Sequence, residues 1–357
     1  MKVVMVGGGT GGHINPAISI ANYIRLAEPD AQITFVGTEY GLEGEIVPKA
    51  GFDIRFVRAK GISRELSLDT LKAVWENVVG LVDSFKLLRE LKPDVVIGTG
   101  GYVCASFMFV AKNLLRIPVY IHESNAVAGV TNKMIGKFAN GVAIGFEEAR
   151  KDFTNKNVVL TGNPVKAEYE YFQKEPHEGY NVLVFGGSQG AKVINSAVLG
   201  MLAEGNIYYN LTYVTGPKLY EGVMNEIDMR GIDVPDNVDI MPYAYDMEEI
   251  YKTTDLVVCR SGALTVSELA ATKTPAILVP LAIAAENHQF VNATQLAKVG
   301  AANIINEGEL NPQTLRVNID AMLRDRALLD DMGERAGKIH INNAAAQVYN
   351  MAKERCV

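Results

Sequence analysis

Cysteine, positive charge and long apolar runs are all scarce in this chain, and each shortage excludes something. Of 357 residues only 3 are cysteines, Cys104, Cys259 and Cys356, too far apart for a Cys-x-x-Cys site. An odd, sparse count fits free thiols in a reducing compartment rather than a disulfide framework. The longest uncharged stretch, Val95–Ala111, is interrupted by Gly98, Gly100 and Gly101. A membrane-spanning helix wants about 20 continuous apolar residues, so a buried strand, a turn and a buried helix are expected there. Met1-Lys2-Val3-Val4-Met5-Val6 runs straight into glycines, without the apolar core of roughly 7–15 residues that an export signal needs. The default expectation is a cytosolic chain. Lys and Arg number 34 against 41 Asp and Glu, a net −7, which argues against a basic nucleic-acid-binding coat and predicts no nucleic-acid partner.

A hydrophobic fraction of 48% and a charged fraction of 21% suit a packed globular chain, not a disordered one. At roughly 100–200 residues per domain the length suggests two domains. Charge is uneven: residues 1–162 carry 18 basic and 16 acidic side chains, net +2, while residues 163–357 carry 16 and 25, net −9. The near-neutral part is the one suited to an anionic surface.

Short β-branched runs alternate with helical patterns. Lys2–Val6, Ile33–Val36, Val95–Ile97, Val119–Ile121 and Val142–Ile144 read as strands, with Ile14–Leu26, Leu68–Leu91, Val103–Leu115 and Val130–Phe138 as helices between them. After a polar stretch and the turn Thr161-Gly162-Asn163-Pro164 the pattern restarts. Val182–Phe185, Leu211–Val214, Val238–Met241, Leu256–Cys259, Ile277–Val279 and Asn303–Ile305 form the second strand set. Continuously apolar strands are buried on both faces, as in a parallel sheet. The fold class expected is α/β, with two Rossmann-like doubly wound domains, 1–162 and 163–340. Residues 341–357 form a C-terminal helix free to lie on either domain, including back on the first.

Each domain opens with a strand and a glycine-rich loop. The first, Gly7-Gly8-Gly9-Thr10-Gly11-Gly12-His13, lets backbone approach a ligand at a helix N-terminus. Gly7, Gly9 and Gly12 also satisfy G-x-G-x-x-G, with Glu39 as a candidate ribose acid, which keeps an NAD-dependent oxidoreductase open as an alternative. The second, Gly186-Gly187-Ser188-Gln189-Gly190-Ala191, lacks that spacing and speaks against two nicotinamide sites; its Ser188 offers a hydroxyl to a phosphate. A third turn leads from Arg260 into a helix carrying Glu268, a carboxylate suited to a ribose diol. Of the 5 histidines, His177 and His340 lie in unpatterned polar surroundings and are expected at the surface. His122-Glu123 is no His-Glu-x-x-His zinc site, because Ala126 takes the last position. His13 ends the glycine loop at a helix N-terminus, where the positive end favours a neutral ring able to accept a proton; a plain polar cap is the other reading.

Six motifs then occur in order: Gly8–His13, Gly100-Gly101-Tyr102-Val103, His122-Glu123-Ser124-Asn125, Thr161-Gly162-Asn163-Pro164-Val165, Gly186–Ala191 and Cys259–Glu268. Together, over essentially the whole chain, they resemble the MurG family of bacterial N-acetylglucosaminyltransferases. The resemblance implies a GT-B architecture with substrates in the cleft between two domains. It implies an inverting hexosyltransferase that moves GlcNAc from UDP-GlcNAc to the C4 hydroxyl of MurNAc in undecaprenyl-pyrophosphoryl-MurNAc-pentapeptide, the lipid I to lipid II step of peptidoglycan synthesis. No cofactor and no metal are expected, since no Asp-x-Asp motif accompanies either loop.

By the same resemblance, His13 is the catalytic base with Glu123 as back-up. Ser188, Gln189 and the second loop meet the diphosphate together with Lys166, and Glu268 holds the ribose. Ala263, Leu264, Thr265, Val266 and Ser267 line the nucleotide pocket, and Ala244 meets the uracil edge. Gln289 contacts the sugar, with Thr10, Gly11, Gly12 and Asn125 facing it from the other domain. Tyr102 and Asn132 fall on the acceptor side. The chain departs from the family pattern at Lys166, usually Arg, at Ser124, usually Gln, at Cys104-Ala105-Ser106, where Gly-Pro is common, and over 282–288. Related alternatives are a UDP-GlcNAc 2-epimerase, a glycolipid glycosyltransferase and a non-catalytic nucleotide-sugar binder.

The segment Leu66–Leu91 carries more apolar residues than one sheet face needs: Leu68, Leu71, Val74, Trp75, Val78, Val79, Leu81, Val82, Phe85, Leu87, Leu88 and Leu91. Lys72, Lys86, Arg89, Lys112 and Arg116 are placed to flank the excess. The expectation is a peripheral protein on the cytoplasmic face of the cell membrane, docked on the anionic inner leaflet that carries lipid I, with room for other cell-wall synthesis proteins as partners. An ordinary core-facing helix is the competing reading.

Overall fold

A computed structural model of the chain describes residues 1–61 and 68–354, in two compact units. The first runs β1 (Lys2–Gly7), α1 (Gly11–Ala27), β2 (Gln32–Gly37), α2 (Glu43–Lys49), β3 (Asp53–Phe56), α3 (Leu68–Leu91), β4 (Val95–Gly100), α4 (Tyr102–Phe109), β5 (Val119–Glu123), α5 (Val130–Gly136), β6 (Gly141–Ile144) and β7 (Val158–Leu160). Its sheet is parallel, in the order β3-β2-β1-β4-β5-β6-β7. Every residue of β4, β5 and β6 is buried, as continuously apolar central strands require.

The second unit, Ala167–His340, runs α6 (Ala167–Glu170), β8 (Asn181–Phe185), α7 (Lys192–Glu204), β9 (Asn210–Val214), α8 (Tyr220–Arg230), β10 (Val238–Met241), α9 (Met247–Thr253), β11 (Leu256–Cys259), α10 (Ala263–Ala271), β12 (Ala276–Leu278), α11 (His288–Lys298), β13 (Ala302–Ile304), α12 (Pro312–Leu323) and α13 (Arg326–Gly337). This sheet is also parallel, in the order β10-β9-β8-β11-β12-β13. Both units are Rossmann-like, the α/β class expected from the alternating pattern.

From Ile341 onward the chain belongs to the first unit again. There α14 (Ala344–Lys353) puts Val348, Tyr349, Met351 and Ala352 into one core cluster with Ile20 and Ile24 of α1. The Tyr349 hydroxyl donates to Glu28 at 2.7 Å, and its ring lies 5.8 Å from that of Tyr23. The first unit extends through Lys166 rather than stopping at the turn after 162. Asn163 explains the extension, since it is buried and donates to the Ser124 carbonyl at 3.0 Å.

In the first unit the sequence pattern marks neither of two elements. One is β3, a mostly exposed edge strand whose Asp53 and Arg55 break any apolar run. The other is α2, which sits in a segment of glycines and glutamates. The single helix read over Val103–Leu115 is α4 followed by a π-helical turn, Val110–Leu114. Cys104 and Cys259 are buried free thiols, and Cys356 lies outside the described residues.

Candidate active site

Strand order changes direction between β1 and β4 in the first unit and between β8 and β11 in the second. Loops leaving the carboxyl ends of such a strand pair turn to opposite faces and open a crevice, the usual ligand site of a doubly wound sheet. In the first unit these loops are Gly8–Thr10 and Gly101. In the second they are Gly186–Ala191 and Arg260–Gly262.

His13 stands in the first turn of α1. Its Nδ1 lies 3.0 Å from the Gly8 carbonyl oxygen. A carbonyl only accepts, so Nδ1 carries the ring hydrogen and Nε2 keeps its lone pair. The ring rests against Gly100, where a Cβ would come within 2.8 Å of Cδ2 and 2.9 Å of Nε2. Gly100 also has φ +116°, so glycine is required there by both backbone and space. The buried Thr99 hydroxyl donates to the His13 carbonyl at 2.7 Å and pins the first turn. Thr10, at the N-cap, is exposed and its side chain makes no cap bond. Gly11 is partly exposed and Gly12 exposed.

The Gly9 N–H, by contrast, is already taken: it donates to Glu43 Oε2 at 2.8 Å. Glu43 had no signal in the sequence, and Glu39, the candidate ribose acid, is exposed. A loop whose amide is filled by the protein's own carboxylate is poorly suited to a dinucleotide diphosphate.

Glu123, at the end of β5, is buried and receives four donated bonds. The Asn125 N–H and Nδ2 reach Oε1 at 2.9 and 3.1 Å, and the Gly129 N–H and Asn132 Nδ2 reach Oε2 at 3.0 and 2.8 Å. Asn132 was expected on the acceptor side; it is buried instead, and its amide holds Glu123. His122 is fully buried, its Nε2 donating to the Gly162 carbonyl at 3.1 Å, and burial pushes its pKa down to about 4. The neutral ring accepts the Ser124 hydroxyl at Nδ1, 3.4 Å away. Tyr102, at the start of α4, is exposed, as is Lys166.

In the second unit α7 and α10 have Ala191 and Gly262 at their N-caps, with no side-chain cap and no acidic residue in the first turn. Their leading N–H groups and positive dipole ends suit an anion. Ser188 and Gln189 form the exposed tip of the loop before α7, closed by the Gly190 N–H donating to the Gly187 carbonyl at 2.9 Å. On α10, Leu264, Thr265 and Glu268 are partly exposed, while Ala263 is buried. Val266 is fully buried, and the Ser267 hydroxyl returns to the Ala263 carbonyl at 3.0 Å. Helical periodicity turns these two side chains into the core.

Gln289 accepts the Leu281 N–H at Oε1, 3.0 Å, and its backbone carbonyl accepts the Ser261 hydroxyl at 2.8 Å. Those bonds fix the residue and leave its amide NH2 for a ligand. Ala244 is buried after β10, beside an aromatic pair missing from the sequence reading: Tyr243 and the exposed Tyr245, ring centroids 4.9 Å apart. His177 and His340 are not free surface residues. They lie 2.9 Å from Asp255 and 3.5 Å from Glu170, with side chains largely buried.

The glycosyltransferase family 28 N-terminal domain matches residues 3–144, and the C-terminal domain of that family matches residues 181–353. A protein of Acetivibrio thermocellus named UDP-N-acetylglucosamine–N-acetylmuramyl-(pentapeptide) pyrophosphoryl-undecaprenol N-acetylglucosamine transferase is 44% identical, over 99% of this chain and 98% of its own. The crystal structure of Acinetobacter baumannii MurG is 30% identical, with TM-score 0.79 over 99% of both chains. The chain belongs to the MurG family. The calicheamicin glycosyltransferase CalG4, at TM-score 0.70 and 14% identity over 99% of this chain and 98% of its own, shares the fold alone. Within a MurG chain the Ser124 departure now has a physical account, because the side chain is buried against His122. Lys166 keeps the charge of the usual Arg while losing its bidentate fork.

Proposed function

We propose that this chain transfers GlcNAc from UDP-GlcNAc to the MurNAc C4 hydroxyl of undecaprenyl-pyrophosphoryl-MurNAc-pentapeptide, converting lipid I to lipid II. The observation that carries the chemistry is His13, held through Nδ1 with Nε2 unengaged at the first unit's switch point. The donor is α-linked and the product β-linked, so one in-line displacement suffices. The C1–O bond to the diphosphate breaks, the C1–O4 bond forms, and the acceptor hydroxyl proton passes to His13 Nε2. The leaving UDP is stabilised by the uncapped ends of α7 and α10. Ser188 and Gln189 meet the diphosphate and Glu268 the ribose. The backbone of Ala244 meets the uracil, with Tyr243 and Tyr245 beside it. The Gln289 amide contacts the sugar. Tyr102 faces the acceptor.

Glu123, with four donors on its two oxygens, reads as a positioning carboxylate rather than a base. Incubation with radiolabelled UDP-GlcNAc and a lipid I analogue tests the whole reading. Label in the lipid with release of UDP is expected; hydrolysis or no transfer defeats it.

A lipid acceptor implies work at the inner leaflet, and exposed apolar side chains of the first unit support docking there. Trp75, Val78, Val82 and Phe85 recur on one face of α3 at 68%, 48%, 51% and 38% exposure. Phe109, Leu114, Val130 and Met134 are exposed on the neighbouring α4, π-turn and α5. Lys86 and Arg89 lie on α3, with Arg116 just after the π-turn and Lys137 just after α5, while Lys112 and Lys133 are engaged by Asn140 and Asp152. Leu81, Leu87, Leu88 and Leu91 face the core, so the helix has an apolar side to spare. Leu66 lies outside the described residues, as do the side chains of Leu68, Leu71, Lys72 and Val74. Among the described residues no helix is long and apolar enough to cross a membrane. Vesicles containing anionic lipid should carry the protein in flotation, and Trp75→Ser with Val82→Ser should lose at least half of that recovery. Equal recovery from neutral vesicles would remove the role given to the basic residues.

A further inference from the structure

We infer that Glu43 is a positioning residue for the transfer reaction, one that sets the first glycine loop and through it the orientation of His13. The inference rests on His13 being the base. Glu43 opens α2 and is fully buried, yet among the described residues no cation is paired with it. Three donors compensate its charge. The Thr38 N–H and hydroxyl reach Oε1 at 2.8 and 2.9 Å, and the Gly9 N–H reaches Oε2 at 2.8 Å.

The surrounding chain is shaped to this carboxylate. A Cβ on Gly8, Gly37 or Gly41 would overlap the Glu43 side chain. Gly8 of the first loop, Gly37 at the end of β2 and Gly41 before α2 thus make one cradle for a carboxylate that a smaller polar residue would leave partly empty. A buried carboxylate is costly unless it is fully hydrogen-bonded, so its presence under a catalytic loop calls for a reason beyond filling space.

The geometry supplies one. Gly8 and Gly9 share a peptide unit: its N–H is the group bound by Glu43, and its C=O is the group that accepts His13 Nδ1–H at 3.0 Å. The peptide plane is rigid, so fixing the N–H fixes the direction of the carbonyl on the opposite side. That carbonyl selects the His13 tautomer and leaves Nε2 as the accepting nitrogen. The arrangement runs carboxylate, peptide, imidazole: a backbone amide stands where a side-chain carboxylate would otherwise orient a catalytic histidine directly. A charged acceptor binds the N–H more strongly than a neutral one, which polarises the peptide and strengthens its carbonyl as an acceptor.

Glu43→Gln tests this in the full-length enzyme, with the lipid I analogue and UDP-GlcNAc as substrates. It keeps the volume and removes the charge. The expected result is a loss of about 10-fold or more in kcat, with the Kd for UDP and the KM for UDP-GlcNAc changed less than twofold. Nitrogen NMR of the labelled His13 imidazole should show the Nδ1–H form giving way to a tautomer mixture, and Glu43→Asp should recover part of the kcat. Unchanged kcat with an unchanged tautomer overturns the inference, and so does a loss of UDP affinity in parallel with kcat and Tm, which marks a purely structural role. If Glu43→Gln does not fold, Thr38→Val removes one of the three donors and keeps the charge. It should give a smaller loss of kcat with the same tautomer shift, and no shift counts against the inference. Failure of the base reading is separable, because it shows as unchanged kcat in His13→Ala while the tautomer response to Glu43→Gln persists.

Discussion

Replacing His13 with alanine is expected to lower kcat by about 10²–10⁴-fold, with the Kd for UDP essentially unchanged. The magnitude is that of a lost general base, and the insensitivity of UDP binding follows from where the parts lie. His13 belongs to the first unit, while the uncapped helix ends of α7 and α10 belong to the second. His13→Gln is the sharper control. A glutamine can donate to the Gly8 carbonyl, as Nδ1–H does, but offers no basic nitrogen. It should therefore be as inactive as alanine while unfolding at the Tm of the parent. Steady-state turnover of the lipid I analogue between pH 6 and 9 measures both variants. If either retains parental kcat, the proton is taken by another group and the mechanism proposed above fails at its first step.

The glycine loops of the candidate site were legible in the sequence because their signals are local. A glycine loop between an apolar strand and a helix needs only a dozen neighbouring residues to be recognised, and both loops are where the pattern put them. The core strands were legible for the same reason, since burial on both faces writes itself as an uninterrupted apolar run.

What was not legible depends on contacts remote in sequence or on direction. Glu43 meets Gly9 across 34 residues, from a segment whose glycines and charges look like any loop. The roles of Glu123 and Asn132 turn on which way two polar side chains point, and nothing in His122-Glu123-Ser124-Asn125 distinguishes a carboxylate facing substrate from one facing its own loop. The side chains of Val266 and Ser267 point inward because helical spacing sets them on the core face of α10.

Net charge likewise says little about where an anion binds. Residues 163–357 sum to −9, yet the proposed diphosphate site lies within that range. Exposed charges are screened beyond about 8–10 Å at physiological salt. The N–H groups at a helix end act at hydrogen-bond distance and are not screened there. A few uncapped amides therefore outweigh a distant excess of carboxylates. The absence of acidic residues from the first turns of α7 and α10 is the part of the charge pattern that matters.

The second large effect is expected at Glu123, and it should be on stability rather than on proton transfer. Glu123→Ala strands the Asn125 N–H and Nδ2, the Gly129 N–H and the buried Asn132 Nδ2. A hydrogen bond to a charged group contributes about 1.5–3 kcal/mol. Because the four bonds share one carboxylate they are not additive, and the loss should be about 3–5 kcal/mol, comparable to breaking a buried ionic contact. Glu123→Gln should lose less, since its carbonyl oxygen still accepts from one pair of donors while its NH2 faces the other. Urea unfolding orders the variants as parent, Gln, Ala. The kinetic corollary separates the two roles considered for this residue. As a positioning group, Glu123 leaves the pH dependence of kcat/KM unchanged in whatever fraction of Glu123→Gln remains folded. As the base, its loss would abolish turnover in a protein of parental stability. A stable, inactive Glu123→Gln would therefore exchange the roles of Glu123 and His13.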